Sequence, residues 1–168
     1  SNESTRSGTD SVDGFQLDEG GSSTIVFRLD ESWHAALPAA RVMRLEEFAE
    51  EQVRRSDDRE VVPYRGGLLP LVRLAKFLRE VDFKREDAAQ PATDGPLRVL
   101  VVEQGETSLG LVVQAVIDIV ETPLVVTRRQ RPGGVYGTAV LDSLAVDLLD
   151  LDKLIEATGV VLYEAGAE

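Results

Sequence analysis

Three groups of residues in this chain have types and spacings that could do chemistry. Arg65-Gly66-Gly67 puts a guanidinium on a tight turn between two apolar runs. A planar fork of N–H donors in that position can bind a carboxylate or backbone carbonyls; equally, the glycines can serve only to let a hairpin turn at φ > 0. Paired carboxylates such as Glu46-Glu47, Asp57-Asp58 and Asp150 with Asp152 read as solvated charges of an acidic surface. Asp147, Asp150 and Asp152 surround Leu148, Leu149 and Leu151, so they mark a helix start, where acidic side chains meet the positive end of the dipole, rather than a cation site. Arg128, Arg129 and Arg131, ahead of Pro132-Gly133-Gly134, form the one basic cluster of note and read as a solvated loop.

Much chemistry is missing. His34 is the only histidine and there is no cysteine, so the chain has no His/Cys zinc set, no thiolate and no disulfide framework. His34 lies mid-strand beside Trp33 and reads as structural, either satisfied or simply exposed. Ser108 and Ser143 lack the strand-to-helix GxSxG elbow, and neither GxxxxGK[ST] nor GxGxxG is present. No catalytic residue, metal or cofactor is expected. A formal net charge of -12 repels a phosphate backbone, which argues against nucleic acid. The longest apolar stretch, Leu109 to Val126, carries Gln114, Asp118, Glu121 and Pro123 and is core rather than a membrane span.

The elements that must position these residues come twice. Leu71-Val72-Arg73-Leu74-Ala75-Lys76-Phe77-Leu78 lies over Leu148-Leu149-Asp150-Leu151-Asp152-Lys153-Leu154-Ile155 with apolar and polar positions in step. At a slightly different offset Ile25-Val26-Phe27 falls on Val99-Leu100-Val101, Leu37 on Leu111, Val42 on Val116 and Leu45 on Ile119. Thr24 to Leu29 and Trp33 to Leu37 predict a hairpin, Pro38 to Phe48 a turn of helix then a strand, and Ala49 to Arg59 an exposed loop. Val61 to Val72 predicts the hairpin that turns at the glycines, and Leu74 to Arg79 a helix. In the second half, Leu97 to Glu103 with Ser108 to Val113, and Val135 to Leu141 with Leu144 to Leu149, predict two more hairpins, while Ala115 to Glu121 is helix or strand. Short strands at this spacing argue for two small antiparallel barrels packed on one another.

Four segments carry a resemblance: ALPAARVMRLEEF from Ala36, YRGGLLPLVRLAKFL from Tyr64, SLGLVVQAVIDIVE from Ser108 and GVYGTAVLDSLAVDLLDLDKLI from Gly134. In this order they resemble the CheW-like domain of bacterial chemotaxis, found as the free coupling protein CheW and as the C-terminal regulatory domain of the histidine kinase CheA. The resemblance covers Thr24 to Thr158. It implies a mainly β fold of two SH3-like five-stranded antiparallel barrels with short helices and a shared apolar core. The expected division is a flexible lead over 1–23, the domain over 24–159, and a tail over 160–168. Within the domain, a first lobe over about 24–79 and a second over about 97–159 flank a linker over 80–96.

The function so implied is a cytoplasmic, non-enzymatic adaptor that couples chemoreceptors to CheA, with CheA or CheW as further partners. The family's receptor contact lies in the cleft between lobes and on the strand bearing the Arg-Gly turn. Carried over, this gives Val42, Arg44, Arg65, Gly66, Gly67 and Leu68 as partner-binding residues. Coupling proteins of the family usually have Asn-Leu-Arg-Gly where this chain has Pro63-Tyr64-Arg65-Gly66, and an acidic residue where Arg44 stands. Both departures lean toward the alternative, a CheW-like regulatory domain of a larger CheA-type histidine kinase. In the family, partner domains pack the first lobe of one onto the second lobe of the other. A ligand-binding double barrel is a third reading, and an apolar cavity with convergent polar groups would favour it.

Overall fold

The computed structural model describes residues 23–82 and 95–160. The expected lead up to residue 22, most of the linker, and the tail beyond residue 160 lie outside the described residues. The first half runs β1 (Thr24–Asp30), β2 (Trp33–Pro38), a 3-10 turn (Ala39–Arg41), β3 (Val42–Phe48), a 3-10 turn (Glu50–Gln52), β4 (Arg54–Ser56), β5 (Arg59–Tyr64), β6 (Gly67–Arg73) and helix α1 (Leu74–Val81). The second half runs β7 (Leu97–Gln104), β8 (Thr107–Val113), β9 (Ala115–Val120), β10 (Val126–Arg131), β11 (Val135–Leu141), β12 (Leu144–Leu149) and helix α2 (Leu151–Thr158). The same succession of six strands and a helix occurs twice, as the repeated apolar pattern predicts.

Several local expectations need correcting. The Ala49 to Arg59 region is exposed but contains a 3-10 turn and β4 instead of a plain loop. The helix-or-strand segment after Ala115 is the strand β9, and the basic cluster Arg128 to Arg131 lies on the strand β10. Arg128 and Arg129 are exposed on this edge strand and Arg131 at its end pairs with the buried Asp82, so no apolar alternation is there to read. The linker expectation begins too early, because Glu80 and Val81 finish α1 and Asp82 is buried.

The largest correction concerns the lobes. The strands form two six-stranded sheets, in the orders β3-β7-β8-β6-β5-β4 and β9-β1-β2-β12-β11-β10. Each sheet takes four strands from one half and a hairpin from the other. The two repeats have therefore exchanged their first hairpins, and the sheets do not follow a division of the chain into 24–79 and 97–159. Exchange also replaces a purely antiparallel arrangement, since β6 lies parallel to β8 and β12 parallel to β2. The hydrophobic pattern fixes which face of a strand is buried but not which copy of the hairpin fills the place.

Register confirms the equivalence and corrects one alignment. Leu71 pairs with Gly110 as Leu148 pairs with Ala36. Both β3 and β9 carry a bulge at the same point: the pairs Val42–Val102 and Arg44–Val101 match Val116–Phe27 and Asp118–Val26. Ile25-Val26-Phe27 thus falls on Leu100-Val101-Val102, one residue beyond the sequence alignment. The slip arises at Leu29, an extra residue in the irregular β1–β2 ladder between Arg28 and Asp30; the β7–β8 ladder runs without interruption.

Burial follows the exchange. One central core gathers Phe27, Leu37, Leu74, Leu78, Leu100, Leu111, Leu149 and Leu154 from both sheets and both helices. Each sheet also closes over a smaller core of its own, one with Val26, Ala36, Val146 and Leu148, the other with Val62, Leu69, Leu71, Val99 and Val101. Adjacent residues of β1 thus face different cores, so the strand reads as a continuous apolar run. Asp150 caps α2 by accepting from the Lys153 N–H at 3.2 Å, which bears out the acidic helix start.

The turn between β10 and β11 is wedged against α2. The Asp150 N–H donates to the Gly134 carbonyl at 2.8 Å, and Gly134 has φ +98°. A Cβ there would lie 2.8 Å from the Leu154 nitrogen and 3.1 Å from the Asp150 carbonyl oxygen, both backbone. Gly134→Ala is expected to destabilise the fold by about 2–4 kcal/mol through overpacking and backbone strain. Urea denaturation measures this; a midpoint within error of the parent would refute the tight approach.

Candidate functional site

The turn between β5 and β6 is a two-residue hairpin loop closed by the Tyr64–Gly67 pair. Arg65 has φ 52° and Gly66 φ 82°. Two left-handed residues in succession make the primed turn that suits the twist of the flanking strands. Gly66 fits the backbone reading of the motif. A Cβ at Gly66 would meet nothing within 4 Å, so any larger residue there suffers only conformational strain. Gly67 opens β6 and is exposed, and it pairs across the turn rather than shaping it.

The Arg65 side chain projects to solvent and lies over the Tyr64 ring, 5.7 Å from its centroid. Tyr64 links the turn to β3. Its hydroxyl donates to Glu46 Oε2 at 3.1 Å, and Arg44 Nε donates to the same oxygen at 3.0 Å. Behind them, the Tyr64 and Phe48 rings meet edge to face with centroids 5.9 Å apart. β3 and β5 are not ladder neighbours, so these side chains join strands that the sheet order separates. The structure thereby brings Arg44 and Arg65, far apart in sequence, into one cluster.

Electrostatics tie the cluster together. The Arg44 hydrogen bond holds the Glu46 carboxyl below its ordinary range, against partial desolvation; the Tyr64 hydrogen bond and the charges of Arg44 and Arg65 act in the same direction as Arg44. Tyr64 is raised, first by burial and then by its bond to Glu46. Arg44 is held protonated chiefly by Glu46.

The remaining predicted residues separate. Leu68 is 48% exposed and pairs with the exposed Pro63 beside the turn. Val42 is half-buried and packs against the central core. Its neighbours Met43 and Leu45, not singled out from the sequence, are the exposed apolar residues of β3. Their counterparts Ile117 and Ile119 are likewise exposed on β9. The one available signal was the repeat itself, which set Leu45 on Ile119; the bulge after Val42 disguised the rest.

A groove of about 760 Å³ runs between these strands, lined by Leu45, Glu46, Glu47, Arg98, Ala115 and Val116, among others. Arg98 donates to the Gln114 carbonyl at 3.3 Å and stands 3.8 Å from Glu47, so the polar rim is partly engaged within the chain. Elsewhere, His34 is buried, and burial foremost, then Arg28, lowers its pKa. Among the described residues, no cluster of three or more His, Cys, Asp or Glu side chains could hold a metal ion. No helix among them is long and apolar enough to cross a membrane.

A family profile described as the CheW-like domain matches residues 23–159. Among solved structures, the scaffolding protein TtCheW from Thermoanaerobacter tengcongensis is similar, with a TM-score of 0.63 and 19% identity. The match covers 84% of this chain and 98% of that one. The search among curated protein sequences gives no match.

Two measurements test the cluster. Arg65→Ala should leave stability within about 1 kcal/mol of the parent, since the side chain is exposed and both residues are L-amino acids at the same φ; Gly66→Val should lose about 1–3 kcal/mol to strain at positive φ. Loss of the cooperative transition in Arg65→Ala would make that residue structural. By NMR, Glu46 should titrate below its ordinary value of 4.5, and Arg44→Ala should move it upward. As a carboxylate with a depressed folded pKa, Glu46 supports the fold above its unfolded pKa and loses that support as pH falls through the folded one. A Glu46 midpoint unmoved by Arg44→Ala would show that the hydrogen bond is not what lowers it.

Proposed function

The chain belongs to the CheW-like domain family, and from that membership we propose that it is a non-enzymatic cytoplasmic adaptor that couples chemoreceptors to the histidine kinase CheA. The observation that carries the reading is the cluster of Arg44, Glu46, Tyr64 and Arg65. It holds the β5–β6 turn against β3, so this edge exposes the Arg65 guanidinium with Leu68 beside it at the turn, and Met43 and Leu45 on β3, of which Leu45 lines the groove. A face of that kind suits a partner that offers apolar side chains together with a carboxylate or free carbonyl oxygens.

A second reading draws on Arg44 and on Pro63-Tyr64 ahead of the Arg-Gly turn. These are the positions at which the chain leans toward the CheA regulatory domain, so the same face would serve as a module of a larger kinase. In either case the chemistry of phosphate transfer lies outside the described residues, and this face supplies contacts only.

The test is calorimetric titration of the chain with a chemoreceptor signalling segment and, separately, with CheA. Arg65→Ala should weaken at least one of these complexes by about 1–3 kcal/mol, the worth of a charge-assisted contact. Leu45→Asp should weaken it further by placing a charge in the apolar part of the face. If the parent binds both partners and neither substitution changes either affinity, the face is assigned wrongly.

A further inference from the structure

The half-buried arginines among the described residues are Arg28, Arg41, Arg73, Arg79 and Arg131. Four of them meet a carboxylate: Arg41 pairs with Asp152, Arg73 with Glu60, Arg79 with Asp30 and Arg131 with Asp82. Arg28 pairs with none among the described residues, and its Nε is buried without a hydrogen-bond partner. A guanidinium drawn out of water without an anion costs stability. The shared backbone does not demand it, because the equivalent residue of the second repeat, one place after Val102, is the exposed Glu103.

Arg28 lines the groove between β3 and β9. Its carbonyl accepts from the Gln114 N–H at 2.9 Å, and it lies opposite Ala115 on β9 and opposite His34 on β2. The other charged groups of the groove are engaged: Glu46 accepts from Arg44 and Tyr64, and Glu47 and Arg98 stand 3.8 Å apart. Arg28 is thus the one charge of the groove with no opposite charge against it. Leu45, Val113, Ala115 and Val116 supply apolar lining beside it. His34 is buried next to the guanidinium, where burial first and the Arg28 charge second lower its pKa; Asp30, itself paired with Arg79, acts the other way. On its other flank β12 offers the apolar Val146. An anion seated on Arg28 offsets the repulsion, so His34 reports on it.

We propose that Arg28 determines what the groove accepts: it receives a carboxylate, borne on a short apolar group as in Glu or Asp, from the partner segment that docks along β3 and β9. This rests on the adaptor reading above and adds to it the chemistry the partner must offer. A segment without that carboxylate covers Arg28 and leaves it unpaired, which costs affinity; a segment with a basic side chain at that point is rejected.

Two titrations of the full chain test this. In the first, followed by NMR, the probe is sodium butyrate, with butylammonium chloride at equal ionic strength as its control. Butyrate should shift the His34 ring signals saturably, with a midpoint at or below about 100 mM, and raise the His34 pKa; butylammonium should do neither. Arg28→Met should weaken the response at least about fivefold while melting no lower than the parent, because it removes an unpaired charge, and Arg28→Lys should keep part of the response. In the second, a chemoreceptor signalling segment is titrated by calorimetry. Arg28→Met, and saturating butyrate on the parent, should each weaken that complex about tenfold. The inference is overturned if butyrate gives no saturable response, if butylammonium matches it, or if Arg28→Met responds as the parent does. It is overturned equally if butyrate binds while the segment's affinity is indifferent both to butyrate and to Arg28→Met, since the site then takes free small carboxylates only. Failure of the butyrate arm with the segment still bound leaves the adaptor reading intact, whereas a parent that binds butyrate but no segment refutes the adaptor reading and leaves the carboxylate site standing.

Discussion

The exchange of the first hairpin between the two repeats is the constraint on which the rest of the molecule depends. β1 and β2 complete the sheet of the second half, and β7 and β8 complete the sheet of the first. Each exchanged strand is buried on both sides, giving one residue to the small core of its adopted sheet and the next to the common core between sheets. Neither half can close its own sheet without the other's hairpin, so the apolar surface of both is covered only when the whole domain assembles. A chain of this length, divided into two self-contained barrels, would have two marginal cores; the exchange gives it one large core with two satellites.

Polar contacts repeat the same logic at the helices. Arg131 on β10 donates to the buried Asp82 at the end of α1 at 2.7 Å, and Arg59 on β5 donates to the Gly159 carbonyl at the end of α2 at 3.0 Å. Each helix follows the last strand of one half and is held at its C-terminus by an arginine of the other half. The exchanged hairpins are tied in turn: Asp30 pairs with Arg79 of α1, whose guanidinium lies over the Trp33 ring, and Gln104 donates to Asp152 of α2 at 3.2 Å. Partly exposed ion pairs contribute little individually. Their placement matters more, because the two arginine contacts cross between the halves while the Asp30 and Gln104 contacts tie each exchanged hairpin to the helix of its own half.

The repeat was legible because burial on both faces leaves continuous apolar runs, and duplicated runs align. Who pairs with whom was not. Leu71 and Leu148 are leucines for the same reason in both repeats, and nothing in either residue specifies Gly110 or Ala36 as its partner from the opposite half. The one-residue slip at Ile25 to Phe27 has a comparable cause, since Leu29 is apolar and sits in the bulge without interrupting the run. β10 escaped because its residues from Thr127 to Gln130 are exposed and Arg131 is engaged by Asp82, which leaves no apolar alternation. At the candidate site, the glycines disclosed the turn and the resemblance pointed to Arg44 and Arg65. Their connection through Tyr64 and Glu46 depends on curvature that brings β3 toward β5, a property of the closed sheet and not of either strand. The bulge that follows Val42 leaves no mark in an apolar-charged alternation, so the packing of Val42 on the central core was not legible.

A duplicated fold starts with two equivalent ends, and equivalence by itself gives no direction. Substitutions that leave the core untouched are enough to supply one. Tyr64 and Glu46 have become Leu141 and Val120 in the second repeat, which removes the hydrogen-bonded cluster there while keeping the bulge and the primed turn. The edge with Arg44 is thereby cross-linked by side chains, whereas the equivalent edge with Asp118 keeps the same backbone outline with Val120 and Leu141 packed on the core beneath it. Because Arg65 and Gly66 in one turn and Asp142 and Ser143 in the other all hold the positive φ of a primed turn, this divergence needed no change in the sheets. The conserved part of the repeat specifies the shape, and the divergent part gives that shape a polarity.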